Sequence, residues 1–145
     1  MQSLNNILEL LKKKKILIPK ALKSIDLDEI LESREDPGFD KNWISRFEKI
    51  ESKYKSKTDS LTESIIEQIR EKSFKLVFSA TEDDDLAAYV SDDFELICMH
   101  ICEAKHDAWI AGMLEMYTRS PDLNFRFKIS EKSYEDILNT PQQSG

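Results

Sequence analysis

The amino-acid sequence predicts a mostly α-helical, single-domain bundle of about seven or eight helices, with room for one short strand or hairpin near the C-terminus. Three observations carry that expectation. The 145 residues contain only three Gly and four Pro, too few for a turn-rich β architecture. Apolar residues recur at the i, i+3, i+4, i+7 spacing of one helical face through most of the chain. Hydrophobic residues make up 40% and charged residues 34%, the balance of a highly charged globular protein rather than a disordered one.

The elements follow in order. Leu4, Ile7, Leu8 and Leu11 share one face of an opening helix, with Ser3 a candidate cap. Lys12–Lys15 then read as a solvated helix end that complements the dipole. Pro19 is expected to stop regular structure, and Ser24 to open a short helix carrying Leu27, Ile30 and Leu31. The run EDPGFDKNW, residues 35–43, is the clearest break. After it Trp43, Phe47, Ile50 and Tyr54 form one stripe, followed by a polar linker, SKYKSKTDS.

Asp59 or Ser60 caps the next helix, whose face runs through Leu61, Ile65, Ile66, Ile69, Val77 and Ala80. FKLVF, residues 74–78, fits a buried strand as a short apolar run, but the period continuing from Ile69 favours helix. Thr81 and Asp84 resemble a capping box, with Glu82, Asp83, Asp84 and Asp85 in a first turn. Ser91 repeats the arrangement with Asp92, Asp93 and Glu95, ahead of the face Phe94, Ile97, Cys98 and Ile101. Asp107 starts a helix with Trp109, Ile110, Met113, Leu114 and Tyr117 inward, and Pro121 ends it. Phe125, Phe127 and Ile129 alternate with polar residues as a strand does. A short helix with Tyr134, Ile137 and Leu138 follows. The domain is therefore expected over 1–139, with 140–145 a disordered tail.

Several function classes lack the residues they need. CMHICEAKH offers Cys98, His100, Cys102 and His106, but one helix cannot wrap a tetrahedral ion with its own side chains, and there is no second ligand cluster. No cofactor is expected; both cysteines read as free thiols and both histidines as near-surface residues. The chain has no Gly-rich phosphate loop and no nucleophile elbow. A paired-carboxylate hydrolase stays open, though catalytic acids favour apolar clefts and these sit at helix starts. No apolar run reaches the roughly 18 residues of a membrane span. The lysines near the N-terminus follow the apolar residues, the reverse of a secretory signal, so a cytoplasmic location is expected.

Charge distribution is the strongest functional signal. Residues 1–72 carry a net charge of +1 and residues 73–145 a net −8, and between Glu82 and Glu115 ten acids face one Lys. Such a patch repels nucleic-acid phosphates and accelerates capture by cationic proteins. Acid-rich caps that only aid solubility are the competing account. Asp83, Asp84, Asp85, Asp92, Asp93 and Glu95 are the expected partner-binding carboxylates, with Tyr89 the exposed aromatic anchor between the clusters; Phe94 and Trp109 are assigned to the core.

The block FKLVFSATEDDDLAAYVSDDFELI, followed by HDAWIAGMLEMY, resembles the small acidic immunity proteins of bacterial toxin systems, including those of contact-dependent growth inhibition. The resemblance covers roughly residues 74–118 and transfers no fold or residue role. It implies specific neutralisation of a cognate toxin, often a basic nuclease. The charge distribution, the missing catalytic constellations and the lack of a membrane-length run add the expectation of no catalysis and no direct contact to nucleic acid or membrane. The alternative from another class is a cytoplasmic secretion or folding chaperone that grips its client in an apolar groove. A metal-dependent or hydrolytic enzyme is the third.

Overall fold

The computed structural model describes residues 2–120 and 122–139. Eight helices hold 76% of the described residues, and no strand is present among them, so the chain is an all-α single domain. The helices are α1 (Gln2–Lys12), α2 (Pro19–Lys23), α3 (Leu27–Arg34), α4 (Pro37–Lys57), α5 (Ser60–Thr81), α6 (Asp84–Cys102), α7 (Ala108–Arg119) and α8 (Tyr134–Asn139). One hydrophobic core reaches from Leu4 to Ile137. The expected tail 140–145 and the Pro121 stop lie outside the described residues.

The central element is α6. It packs along α5 and touches α4, α7 and α1, while α1 and α2 lie on α5 and α8 joins α7 to α1. Leu86, Phe94, Leu96 and Ile97 of α6 are fully buried, as are Leu4, Ile7 and Leu11 of α1, Ile69 of α5 and Met113 and Leu114 of α7. Each such side chain contributes about 1.5–3 kcal/mol of transfer free energy. That sum, more than local propensity, carries α6 through its acidic residues.

Several boundaries differ from the sequence expectation. Pro19 begins α2 as its first residue, where the missing N–H costs nothing, rather than stopping structure. Ser24 is the C-cap of α2, and Asp26 caps α3 by accepting from Glu29 N. Ser3 lies inside α1. The expected break at 35–43 shrinks to a cap: Asp36 accepts from Gly38 N, Pro37 is the first residue of α4, and Phe39 is already buried. The expected polar linker is helical to Lys57 because Tyr54 is buried.

Asp59 caps α5 through Thr62 N, and FKLVF is helical. Thr81 is the last residue of α5, not a cap; Asp83 takes that role for α6 by accepting from Leu86 N at 2.8 Å. Ser91 opens no helix. It sits buried in the middle of α6, and its Oγ donates to Arg70 O at 3.1 Å, tying α6 to α5. Residues 122–133 are irregular. The alternating run bends at Phe125 and Arg126, runs on without bend or turn through 127–129, and pairs with no strand among the described residues.

Candidate functional site

The acidic residues of α6 divide by what meets them. Asp93 is fully buried, which overturns its expected outward position. Its oxygens accept from Arg34 Nη1 at 2.7 Å and Nη2 at 2.8 Å, from Trp43 Nε1 at 2.9 Å and from the Tyr117 hydroxyl at 2.6 Å. The Arg34 guanidinium lies 4.5 Å from the ring centres of Phe39 and Tyr89 and 4.7 Å from that of Phe125. Four donors and three rings thus enclose one ion pair, the condition under which a buried charge is tolerated. Burial also pushes the Tyr117 hydroxyl pKa well up, so it stays a donor to Asp93.

Asp92 and Glu95 flank the other side of the helix. Arg70 of α5 bridges them, Nη2 to Asp92 and Nη1 to Glu95, both at 2.9 Å. Both carboxylates remain partly exposed. Asp83 is half-buried with one oxygen engaged in its cap. Asp84 and Asp85 are exposed and make no ion pair or side-chain hydrogen bond with another described residue. The two expected clusters thus belong to one helix, on which Asp85, Tyr89 and Asp92 recur at spacings of four and three and so share a stripe.

Tyr89 is 41% exposed. It borders a cleft of about 200 Å³ lined also by Leu31, Arg34, Glu35, Asp40 and Asp85. Sequence reasoning missed Glu35 and Asp40, which reach the site because α3 and α4 turn back over α6. Their signal was present only as capping chemistry around Pro37. Asp83, Asp84 and Asp85 also each offer a carboxylate oxygen within 4.8 Å of one another, a spacing compatible with a hard cation.

The thiol and imidazole groups do not converge. Cys98 is buried, and burial pushes its pKa far up, so no thiolate is available there. His100, expected near the surface, is buried, with Nδ1 3.0 Å from Leu96 O. His106 lies beyond α6, with Nε2 2.9 Å from Lys132 O. Asp107 caps α7 and pairs with Arg46 Nε at 2.8 Å. Among the described residues no helix is long and apolar enough to cross a membrane.

The fold and the site together define an all-α, single-domain protein whose acidic side chains act as helix caps and interhelical ties, with the remainder turned to solvent. A family model for immunity protein PIM1 matches residues 6–121, about four-fifths of the chain. The chain belongs to the immunity protein PIM1 family. A comparison with curated proteins gives no match. Membership implies a toxin as the binding partner.

Proposed function

We propose that the protein neutralises its cognate toxin by docking the outer stripe of α6 on a cationic surface, with a basic nuclease the expected target. The observation that carries this reading is the cleft beside Tyr89. Glu35, Asp40 and Asp85 surround it, and one side of the tyrosine ring is already occupied by Arg34. A partner Lys or Arg entering there would lay its stem on the ring and meet three carboxylates, a charge-assisted arrangement.

Asp84 and Asp85 supply exposed charge for steering, while Asp83, Asp92 and Glu95 add partly engaged charge nearby. Asp93 serves the docking face indirectly, by holding Arg34 under Tyr89. The role is one of binding, without catalysis, cofactor or direct nucleic-acid contact, in the cytoplasm. The inaccessible Cys98 thiol and the carboxylates' placement in caps and ion pairs support it.

The test is association of Asp84→Lys plus Asp85→Lys with the purified cognate toxin, followed across a salt series. The association rate should fall about tenfold or more at low salt and converge with the parent at high salt. Unchanged rates at low salt would falsify the docking face. A complex indifferent to salt in the parent protein would favour a chaperone-like apolar grip.

A further inference from the structure

A second surface lies away from the acidic stripe. Between α7 and the irregular stretch 122–133 runs a groove of about 880 Å³, the floor of which includes Gly112, Met116 and Phe127. Three features of it lack a partner among the described residues. The backbone N–H groups of Phe127, Lys128 and Ile129 make no hydrogen bond with another described residue, although the chain is extended there. The side chains of Arg126 and Lys128 are exposed and have no ionic partner among the described residues. Arg119, which lines the groove, donates from Nη2 to Ile137 O at 3.3 Å, but its Nε is buried without a partner among the described residues. A buried donor left unpaired costs about 1–3 kcal/mol.

We infer that this groove receives an extended, acidic polypeptide segment of a partner protein, added as a strand along residues 127–129. Unpaired amides in an extended chain are the template that strand addition uses. The segment cannot collapse onto α7 any further: a Cβ on Gly112 would lie 2.2 Å from Lys128 O, so the backbone already rests on the helix. Ile129, 63% exposed, offers an apolar contact beside the cations. Alternating aliphatic and acidic side chains on the incoming strand would meet both, and a carboxylate would meet the Arg119 guanidinium.

Nucleic acid fits less well, because the floor of the groove is apolar and a sugar-phosphate backbone carries no amide and carbonyl row to pair along residues 127–129. A second copy of this chain fits less well too: its densest acidic run, Glu82–Asp85, lies at a helix start and is not extended. The inference does not rest on the acidic stripe of α6.

The experiment titrates the full-length, ¹⁵N-labelled protein with an acetylated peptide of alternating valine and glutamate. Amide resonances of 127–129 should shift, and a valine–lysine peptide should leave them in place. Arg126→Glu plus Lys128→Glu should weaken binding about tenfold, and Ile129→Ala should weaken it independently of charge. Asp84→Lys plus Asp85→Lys should leave it unchanged, which separates this site from the toxin-docking face. The proposal is overturned by absent shifts, by equal binding of the lysine peptide, by tighter binding of a single-stranded oligonucleotide in the same groove, or by shifts that track self-association.

Discussion

Arg34 and Asp93 meet in a two-pronged ion pair, 2.7 and 2.8 Å across, at the point where the end of α3 reaches the middle of α6. The pair is sealed from water by Phe39, Phe125 and the half-exposed Tyr89. The same contact therefore fixes the fold and sets the floor of the cleft proposed for the toxin. Removing Asp93 alone strands a buried guanidinium, the Trp43 indole N–H and the Tyr117 hydroxyl.

Asp93→Ala should therefore lower unfolding free energy by about 3–5 kcal/mol. Arg34→Met combined with Asp93→Leu should cost much less than the sum of the single changes, because both charges leave together. Urea denaturation of the two singles and the double is the check. Additive losses would mean the pair acts through packing alone.

Most of the helices were legible in the sequence. Pro19 reads as a stop and so hides α2, and α6 reads as two helix starts where it is one helix. Periodicity located the faces of α1, α5, α6 and α7. Side-chain chemistry narrowed the α5 cap to Asp59 or Ser60, of which Asp59 takes the role, and placed the start of α7 at Asp107. Helix ends were less legible because this chain does not mark them with glycine. Lys14, Leu17, Glu82 and Ala104 take the left-handed conformation, with φ between 50 and 57°, where Gly is the usual signal. Ser91 and Asp93 carried helix-start chemistry but are buried mid-helix because Arg70 O and Arg34 reach them from 21 and 59 residues away. The exposed stripe with Asp85 and Tyr89 could be read from spacing. The contributions of Glu35 and Asp40 could not, since they depend on how α3 and α4 fold back.

Gly112 pits local preference against packing. Alanine is better than glycine in a helix interior by about 1 kcal/mol. Here its Cβ would meet Lys128 O at 2.2 Å and Ile129 Cα at 3.0 Å, both backbone atoms. Gly112→Ala should therefore lower stability by about 1–3 kcal/mol, as overpacking does. It should also displace Phe127 from Trp109, whose ring centres are 5.2 Å apart, and so alter tryptophan fluorescence. A rise in thermal midpoint would show that the segment yields freely.

Arg70 joins α5 to two carboxylates of α6 but is only partly buried. Arg70→Ala should cost about 1 kcal/mol or less, the range of exposed pairs. It also releases Asp92 and Glu95, making the docking face more negative. Toxin association at low salt should become faster even as the free protein becomes slightly less stable. A slower association would place Arg70 among the groups that shape the interface.

His100 makes stability depend on pH in a window separate from that of the carboxylates. Burial lowers its pKa below the ordinary 6.5, outweighing the Leu96 carbonyl and the charge of Asp107, while Arg46 and Lys105 reinforce the decrease. The imidazole is thus held neutral in the fold, and the unfolded chain takes up the proton first. Unfolding free energy should be full above the unfolded value and fall as pH drops through 6.5 toward the lowered folded value, with a limiting slope of about 1.4 kcal/mol per pH unit. The capping carboxylate of Asp107 behaves alike at lower pH: burial raises its pKa, but the Arg46 bond and the Ile110 amide together bring it below 3.8, so its contribution disappears only under stronger acid. His100→Gln keeps a polar side chain without a titrating ring. Urea midpoints measured from neutral pH downward should slope for the parent near the histidine window and stay flat for the variant there, and equal slopes would assign the titration to another group.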